Sequence, residues 1–526
     1  MTESDPQPPV PSAAQTDASV IGMLAHFAAR DPQRPAYLDA HGTLSYGALH
    51  QAVRRGAAWL AGQGVKAGDT VALAFEPDGQ AVRRDIALFY AAGHLGAALL
   101  PVNPEVPPLI AQALLVRYRA NWLIAAGAPP RVGSTQVLDP RRFDAGDAAL
   151  DGAPAPRGDA PEAGFVYLFT SGTTGEAKAL LLTHRQIMLR YRAVARQAGM
   201  DASDRALAGI PWPAIPTMRM LTRVLVIGAT CVSAPLGGTR AAFGAVLARF
   251  GVTRVFASPW QIRQLLESPA PLLPLPPLRA LHVLGAPRPV PHAKSARRAH
   301  GARAALGPNV VLDYSTNETG SITLLRPGDA VPAPDCVGTL VEGMEARVAG
   351  PDGALLAPGE TGELGFRAAW MCTRYAGNPQ ATAERFRDGF VYLGDAGSVD
   401  AQGLVYLRGR TREVINYGGM KIWPEDIEAV LRQHPDLLDA ALVGLPDAQA
   451  GQVPAAFVVP RPAAPGARSA QLDEAGLRAF CATRIESVRM PRHFFLASQI
   501  PRNAAGKILR EALIEAHLGA QQPGAA

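Results

Sequence analysis

Residues 167–184 read YLFTSGTTGEAKALLLTH. An apolar run from Phe165 to Phe169 gives way to hydroxyls, glycines, one acid and one lysine, and the leucines then resume at once. A surface turn rarely needs so many glycines and hydroxyls together, whereas a loop that wraps a polyanion does. Glycines let the backbone come close to a ligand and turn its N–H groups inward; hydroxyls add donors, and a lysine adds a point charge. Thr170, Ser171, Gly172, Thr173, Thr174, Gly175 and Lys178 therefore make a candidate phosphate cradle at the end of a strand. It is not a Walker A loop, because the Gly172 to Lys178 spacing does not fit GxxxxGK[ST]. Beyond it, Thr183 with Gln186 three residues on is a capping-box pair that predicts a helix start.

Outward from this stretch, helical and strand patterns alternate. SYGALHQAVRRGAAWLAGQGV puts Leu49, Val53, Ala57 and Leu60 on one helical face, with Gly64 placed to stop it. DTVALAF follows as a strand, and VTRVFASP repeats the pattern further on. Repeated βα units predict an α/β fold with parallel-rich sheets covered by helices. The character changes near residue 409: GLVYLRGRTREVINYGGMKIWPEDIEAVLRQH is a strand, a charged turn, a glycine pair, and a helix with Pro424 in its first turn. The last hundred or so residues hold strands and helices enough for a small α+β domain on a short linker. The expected organisation is a disordered tail over 1–17, a large domain over 18–409, a hinge at 410–413, a small domain over 414–517 and a second tail over 518–526.

Bulk properties narrow the classes. A chain of 526 residues exceeds one hydrophobic core. The net charge of +6 is small for this length and no dense basic block occurs, which argues against nucleic acid as a partner. Cys231, Cys336, Cys372 and Cys481 lie far apart with no CxxC, which argues for a reducing compartment and against structural zinc. The N-terminal segment lacks the basic start and apolar run of a signal peptide. The best membrane candidate, Ile86 to Val102, reads better as a buried helix followed by a strand. A cytoplasmic protein with no membrane span is expected.

The loop TSGTTGEAK resembles the signature of the acyl-adenylate-forming enzymes: acyl-CoA synthetases, adenylation domains of peptide synthetases, and luciferases. Further motifs of that family follow in order. VLGAPRPVP is similar to the segment lining the adenine site, which implies Gly285, Ala286 and Pro287 there, joined by Asp313 and Tyr314 from LDYSTNETG. The same motif implies that Glu318 holds Mg²⁺ and that Asn317 offers a donor to phosphate. YLGDAG and RGRTREVINYGG supply Asp395 and Arg410, which the resemblance places on the ribose hydroxyls, and Arg412 as the hinge. PRNAAGKILR looks like the terminal motif whose lysine, here Lys507, drives adenylation. Gly418 and Gly419 would line the path of a thiol. The resemblance covers about residues 20 to 515. It implies a large domain binding ATP and an acid, a small mobile lid, and ATP, Mg²⁺ and CoA as the small molecules used.

Each assignment has its own physical sense. One carboxylate and one guanidinium suit two ribose hydroxyls. A carboxylate attacking an α-phosphate must overcome repulsion between anions, which Mg²⁺ on Glu318 and the charges of Lys178 and Lys507 would offset. Departures matter too. Asn317 and Ser315 stand where Thr and Gly are usual, Ala177 and Ala179 where Pro and Gly are typical, and Arg412 where Asp or Lys is common. AGIPWPAIPTMRML falls where the acyl pocket is shaped, so Trp212 and Ala214 would border it. No acid occurs from Pro211 to Leu221, which disfavours an amino-acid substrate and favours a hydrophobic acid, fatty or aromatic. Arg219 is expected to be a helix-face arginine rather than a partner for a second carboxylate. The reading is therefore an ATP-dependent acid–CoA ligase. Its alternatives are a stand-alone adenylating enzyme that loads an acyl or peptidyl carrier protein, and a non-catalytic nucleotide-binding relative.

Overall fold

A computed structural model describes residues 19–74, 81–102, 108–126, 133–144, 160–170, 178–209, 215–236, 239–257, 261–262, 276, 278–284, 309–329, 332–333, 335–411, 413–417, 420–447, 450–461, 472–502 and 508–520. The helix expected after Gly42–Ser45 spans Tyr46–Gly62, with Ser45 accepting from the Ala48 N–H. Its predicted face is fully buried at Leu49, Val53, Ala57 and Leu60. Each such leucine contributes about 1.5–3 kcal/mol relative to an exposed one. Gly64 ends the run at φ +99°, a left-handed conformation that glycine adopts without strain. The membrane candidate is instead the buried helix Val82–His94 and the buried strand Ala98–Val102. Among the described residues no helix is long and apolar enough to cross a membrane.

The six-stranded sheet runs parallel through Gln136–Leu138, Trp122–Ile124, Thr70–Ala74, Ala98–Val102 and Gly164–Thr170. Lys178–Thr183 then pairs antiparallel with Gly164–Thr170, which places Lys178 opposite Thr170 in the register. The described parts of the opening stretch are thus a strand and a returning strand before its helix, His184–Gln197. That helix carries the expected capping box: Thr183 Oγ1 accepts from the Gln186 N–H (3.2 Å), and Gln186 Oε1 accepts from the Thr183 N–H (2.9 Å).

The larger, 14-stranded sheet is divided in character. Val310–Thr316, Ala280–Leu284, Arg254–Ala257, Arg205–Ala208, Thr230–Ser233 and Pro35–Asp39 lie parallel in that order. On the other side of Val310–Thr316 the pairing is antiparallel, through Gly320–Leu325, Cys336–Leu340, Leu404–Arg410, Phe390–Val399, Gly362–Ala368 and Met344–Ala349. This half departs from the expected βα alternation. Between residues 320 and 410 the described helix is the short Pro379–Arg385, and strands joined by short turns can only pair antiparallel.

A separate five-stranded sheet holds Met420–Ile422, Ile415–Tyr417, Gly451–Pro460, Leu437–Asp447 and His493–Leu496. The change of sheet falls between Arg410 and Ile415. Pro424 opens the helix Pro424–Leu431, whose Ile427 and Leu431 are buried beneath this sheet. The closing helix Arg510–Ala520 reaches past residue 517, into the stretch expected as a tail. The stretches 1–17 and 521–526 lie outside the described residues.

Candidate active site

The strand Val310–Thr316 ends in the turn Asn317–Thr319, and Gly320–Leu325 returns antiparallel. Open α/β sheets bind ligands beyond the carboxyl ends of their parallel strands, and this turn sits at one such end. Two side chains hold its backbone through three hydrogen bonds. Arg190 Nη1 donates to the Asn317 carbonyl (3.0 Å), Arg190 Nη2 donates to the Glu318 carbonyl (3.1 Å), and Trp370 Nε1 donates to the Thr319 carbonyl (2.8 Å). Arg190 is 2% exposed, and burial draws its guanidinium down to about 10, still charged at neutral pH. Gly320 has φ +73°, and a Cβ there would meet Arg190 Cδ at 2.8 Å, so the clamp requires glycine.

The side chains of the turn reach elements remote in sequence. Tyr375 Oη donates to Glu318 Oε1 (2.8 Å). Burial, then the charge of Glu318, pushes the Tyr375 phenol up, so it stays protonated and donates. Lys178 Nζ lies 5.3 Å from the centroid of the Tyr375 ring, and the Ala376 N–H donates to the Ala179 carbonyl (2.8 Å), joining the two segments. Asn317 Nδ2 donates to the carbonyl of Phe169 (2.6 Å), one residue before Thr170, and its Oδ1 accepts from Arg219 Nη1 (2.8 Å). Arg219, expected as a helix-face arginine, has a partner that the sequence did not indicate. It is half-buried on the helix Ile215–Ile227 and bonded into the turn, because the face that carries it packs toward Asn317 and not toward solvent.

Tyr314 and Asp395, read separately in the sequence, form a unit. Tyr314 Oη donates to Asp395 Oδ2 (2.5 Å), and the Tyr314 ring packs edge-on to Phe366 with centroids 6.0 Å apart. Asp395 lies opposite Arg410 in the antiparallel register. Asp313 is wholly buried and accepts from Ser321 Oγ (3.0 Å). Burial raises its pKa, opposed by Arg223, and its side chain faces the interior.

The structure thus brings together Thr170, Lys178, Tyr314, Asn317, Glu318, Asp395 and Arg410, the first and last placed through their backbones. Ser171, Gly172, Thr173, Thr174, Gly175, Trp212, Ala214, Gly285, Ala286, Pro287, Arg412, Gly418, Gly419 and Lys507 lie outside the described residues. Sequence reasoning missed Arg190, Trp370 and Tyr375. Arg190 had a signal: it falls three residues after Ile187 and four before Val194, on the apolar face of its helix, where an arginine needs a buried partner. Tyr375 and Trp370 had none.

Whether the site fits Mg²⁺ is tested by Glu318. It is 7% exposed, and Tyr375 occupies Oε1, while Oε2 accepts no hydrogen bond from any described residue. No cluster of three or more acids, histidines or cysteines that could hold a metal occurs among the described residues. One free carboxylate oxygen fits the way Mg²⁺ is bound by one or two carboxylates plus substrate phosphates.

The family model described as AMP-binding enzyme matches residues 24–376, and that of the AMP-binding enzyme C-terminal domain matches 426–507. The chain is 30% identical over 514 residues to a fatty acid–[acyl-carrier-protein] ligase of Streptomyces coeruleorubidus, covering 94% of this chain and 96% of that one. It is 30% identical over 527 residues to a sulfoacetate–CoA ligase of Cupriavidus necator, covering 95% and 99%. Among solved structures, the fold is similar to that of an o-succinylbenzoate coenzyme A synthetase from Bacillus subtilis in complex with ATP and magnesium ion. The TM-score is 0.80 at 24% identity, over 93% of this chain and 98% of that one.

Proposed function

The chain belongs to the AMP-binding enzyme family, and from that membership we propose an ATP-dependent acid–CoA ligase that activates a hydrophobic carboxylic acid, fatty or aromatic. The observation that carries the proposal is the bonding of the Asn317–Glu318 turn to both sides of the glycine-rich loop, at Phe169 and, through Tyr375, beside Lys178. This arrangement gathers donors and cations around one carboxylate, as the attack of one anion on another requires.

In the first half-reaction the acid's carboxylate oxygen bonds to the α-phosphorus of ATP and pyrophosphate leaves. Lys178 and the loop Thr170–Gly175 would hold the departing phosphates, and Lys507 would meet the charge as it develops. Glu318, kept in place by Tyr375, would hold Mg²⁺, which supplies charge neutralisation at the phosphates. Asp395 and Arg410 would bind the ribose, with Tyr314, the backbone of Asp313, Gly285, Ala286 and Pro287 around the adenine. In the second half-reaction the CoA thiol attacks the acyl carbonyl and AMP leaves. Rotation about Arg412 would carry Lys507 away and bring Gly418 and Gly419 to the thiol's path. Trp212 and Ala214 would border the acyl pocket. A cytoplasmic location belongs to the same reading, since the four cysteines are free and buried.

The test is ATP–pyrophosphate exchange across a panel of carboxylic acids. Exchange with fatty or aromatic acids is expected; no exchange with any acid would leave only a nucleotide-binding role. A second reading, a carrier-protein thiol in place of CoA, is favoured by the relative described as a fatty acid–[acyl-carrier-protein] ligase. Thioester yield with free CoA, set against yield with a phosphopantetheinylated carrier protein, separates the two.

A further inference from the structure

The amide of Asn317 is held at both ends. Arg219 Nη1 donates to its Oδ1 (2.8 Å), and its Nδ2 donates to the Phe169 carbonyl (2.6 Å). A guanidinium can only donate and a carbonyl can only accept, so only one orientation of the amide satisfies both partners. In that orientation a second Nδ2 hydrogen remains, and it reaches no acceptor among the described residues. The nitrogen that carries it sits against the Phe169 carbonyl, at the end of the strand that enters the glycine-rich loop, and belongs to the residue next to Glu318.

Arg219 is half-buried, and among the described residues no carboxylate lies within ion-pair distance of it; the charge it favours at longer range is that of the buried Asp313. Arg190 and Arg223 are buried nearby; burial is the main cause that lowers both, and the charge of Arg219 adds to it. A third cation here needs a reason beyond solubility. The amide supplies one. A threonine hydroxyl, usual at position 317 in the resembling family, rotates freely to donate. An asparagine can flip and present an acceptor to the phosphate instead, and the fixed Arg219 donor disfavours that flip.

We propose that Arg219 is a positioning residue for acyl-adenylate formation: it locks the Asn317 amide with its N–H toward the phosphates, so that asparagine serves where a hydroxyl would. The inference rests on the ligase reading, in which Asn317 donates to phosphate. The experiment measures pyrophosphate release in the full-length wild type, R219M, R219K, N317T and N317T/R219M, with thermal melting of each. R219M is expected to lower kcat by about 10- to 100-fold, with KM for ATP and for the acid within about threefold of wild type. R219K should recover part of that loss. In the N317T background, adding R219M should change kcat by less than about threefold, because a hydroxyl needs no orienting partner.

Thioester formation from synthetic acyl-AMP should be unaffected in R219M. An equal loss from R219M in both backgrounds would overturn the proposal, since Arg219 would then act without Asn317. A rise in KM with kcat unchanged would overturn it as well. If R219M does not fold, the same comparison between R219K and N317T/R219K carries the test. A wild type without ATP–pyrophosphate exchange would overturn the ligase reading itself, and this inference with it; exchange without coupling between the two residues overturns the inference alone.

Discussion

His184 closes the quoted stretch and offers a quantitative test of how the site is supported. Its imidazole is fully buried, 4.5 Å from the Phe165 ring centroid, on the first residue of the helix that carries Arg190 to the Asn317–Glu318 turn. Burial holds its pKa at about 4, against 6.5 for an exposed histidine. Above pH 6.5 the group is neutral in both the folded and the unfolded chain and contributes no pH dependence. Below that, the unfolded chain takes up a proton that the folded chain refuses until about pH 4, so stability falls as pH falls through this window. At about 1.4 kcal/mol per pKa unit, the linkage removes about 2 kcal/mol between pH 7.5 and 5, and about 3 kcal/mol by pH 4. His184→Leu keeps an apolar side chain of similar bulk against Phe165 and cannot titrate. Urea unfolding followed by tryptophan fluorescence at pH 7.5 and 5 should show the wild type losing about 2 kcal/mol more than the variant. Contributions from other buried groups, such as His282, are common to both proteins and cancel in the difference. Equal losses in the two proteins would refute the argument, and would mean that the folded protein protonates His184 as readily as water does.

Other outcomes follow from the site. Tyr375→Phe removes the donor to Glu318, a hydrogen bond to a charged group, and should lower stability by about 1.5–3 kcal/mol in urea unfolding; an unchanged midpoint would mean that the bond contributes nothing. Asp395→Ala should weaken ATP binding by about 1–3 kcal/mol while the protein still folds, as read by isothermal titration and circular dichroism. Intact ATP affinity with lost folding would assign Asp395 a structural role with Tyr314. Lys507→Ala should lose acyl-AMP formation by about 100-fold or more, yet still make thioester from synthetic acyl-AMP and CoA. Arg412→Pro should adenylate but fail at thioester formation, because a fixed φ hinders the rotation. Equal loss of both activities in both variants would remove the two-position lid.

Much of this protein is legible along the chain because it is local. The helix over Tyr46–Gly62 follows from four apolar residues on one face, and the capping box at Thr183 and Gln186 follows from a three-residue spacing. The phosphate cradle and the motifs that follow it in order are local in the same sense: residue types at fixed short distances already state which chemistry they suit. The tertiary structure decided the rest. Phe169 meets Asn317, Glu318 meets Tyr375 and Tyr314 meets Asp395 across gaps of 148, 57 and 81 residues, and which residues meet depends on which strands pair and in what register. The antiparallel half of the large sheet was hidden for the same reason, since Cys336–Leu340 pairs with Leu404–Arg410 and Gly362–Ala368 with Phe390–Val399, strands that are not neighbours along the chain. Arg190 and Arg219 look like surface charge by composition. They become parts of the site only because two helices turn those faces inward, where a cation must find acceptors, and the nearest ones are the carbonyls and the amide of one turn.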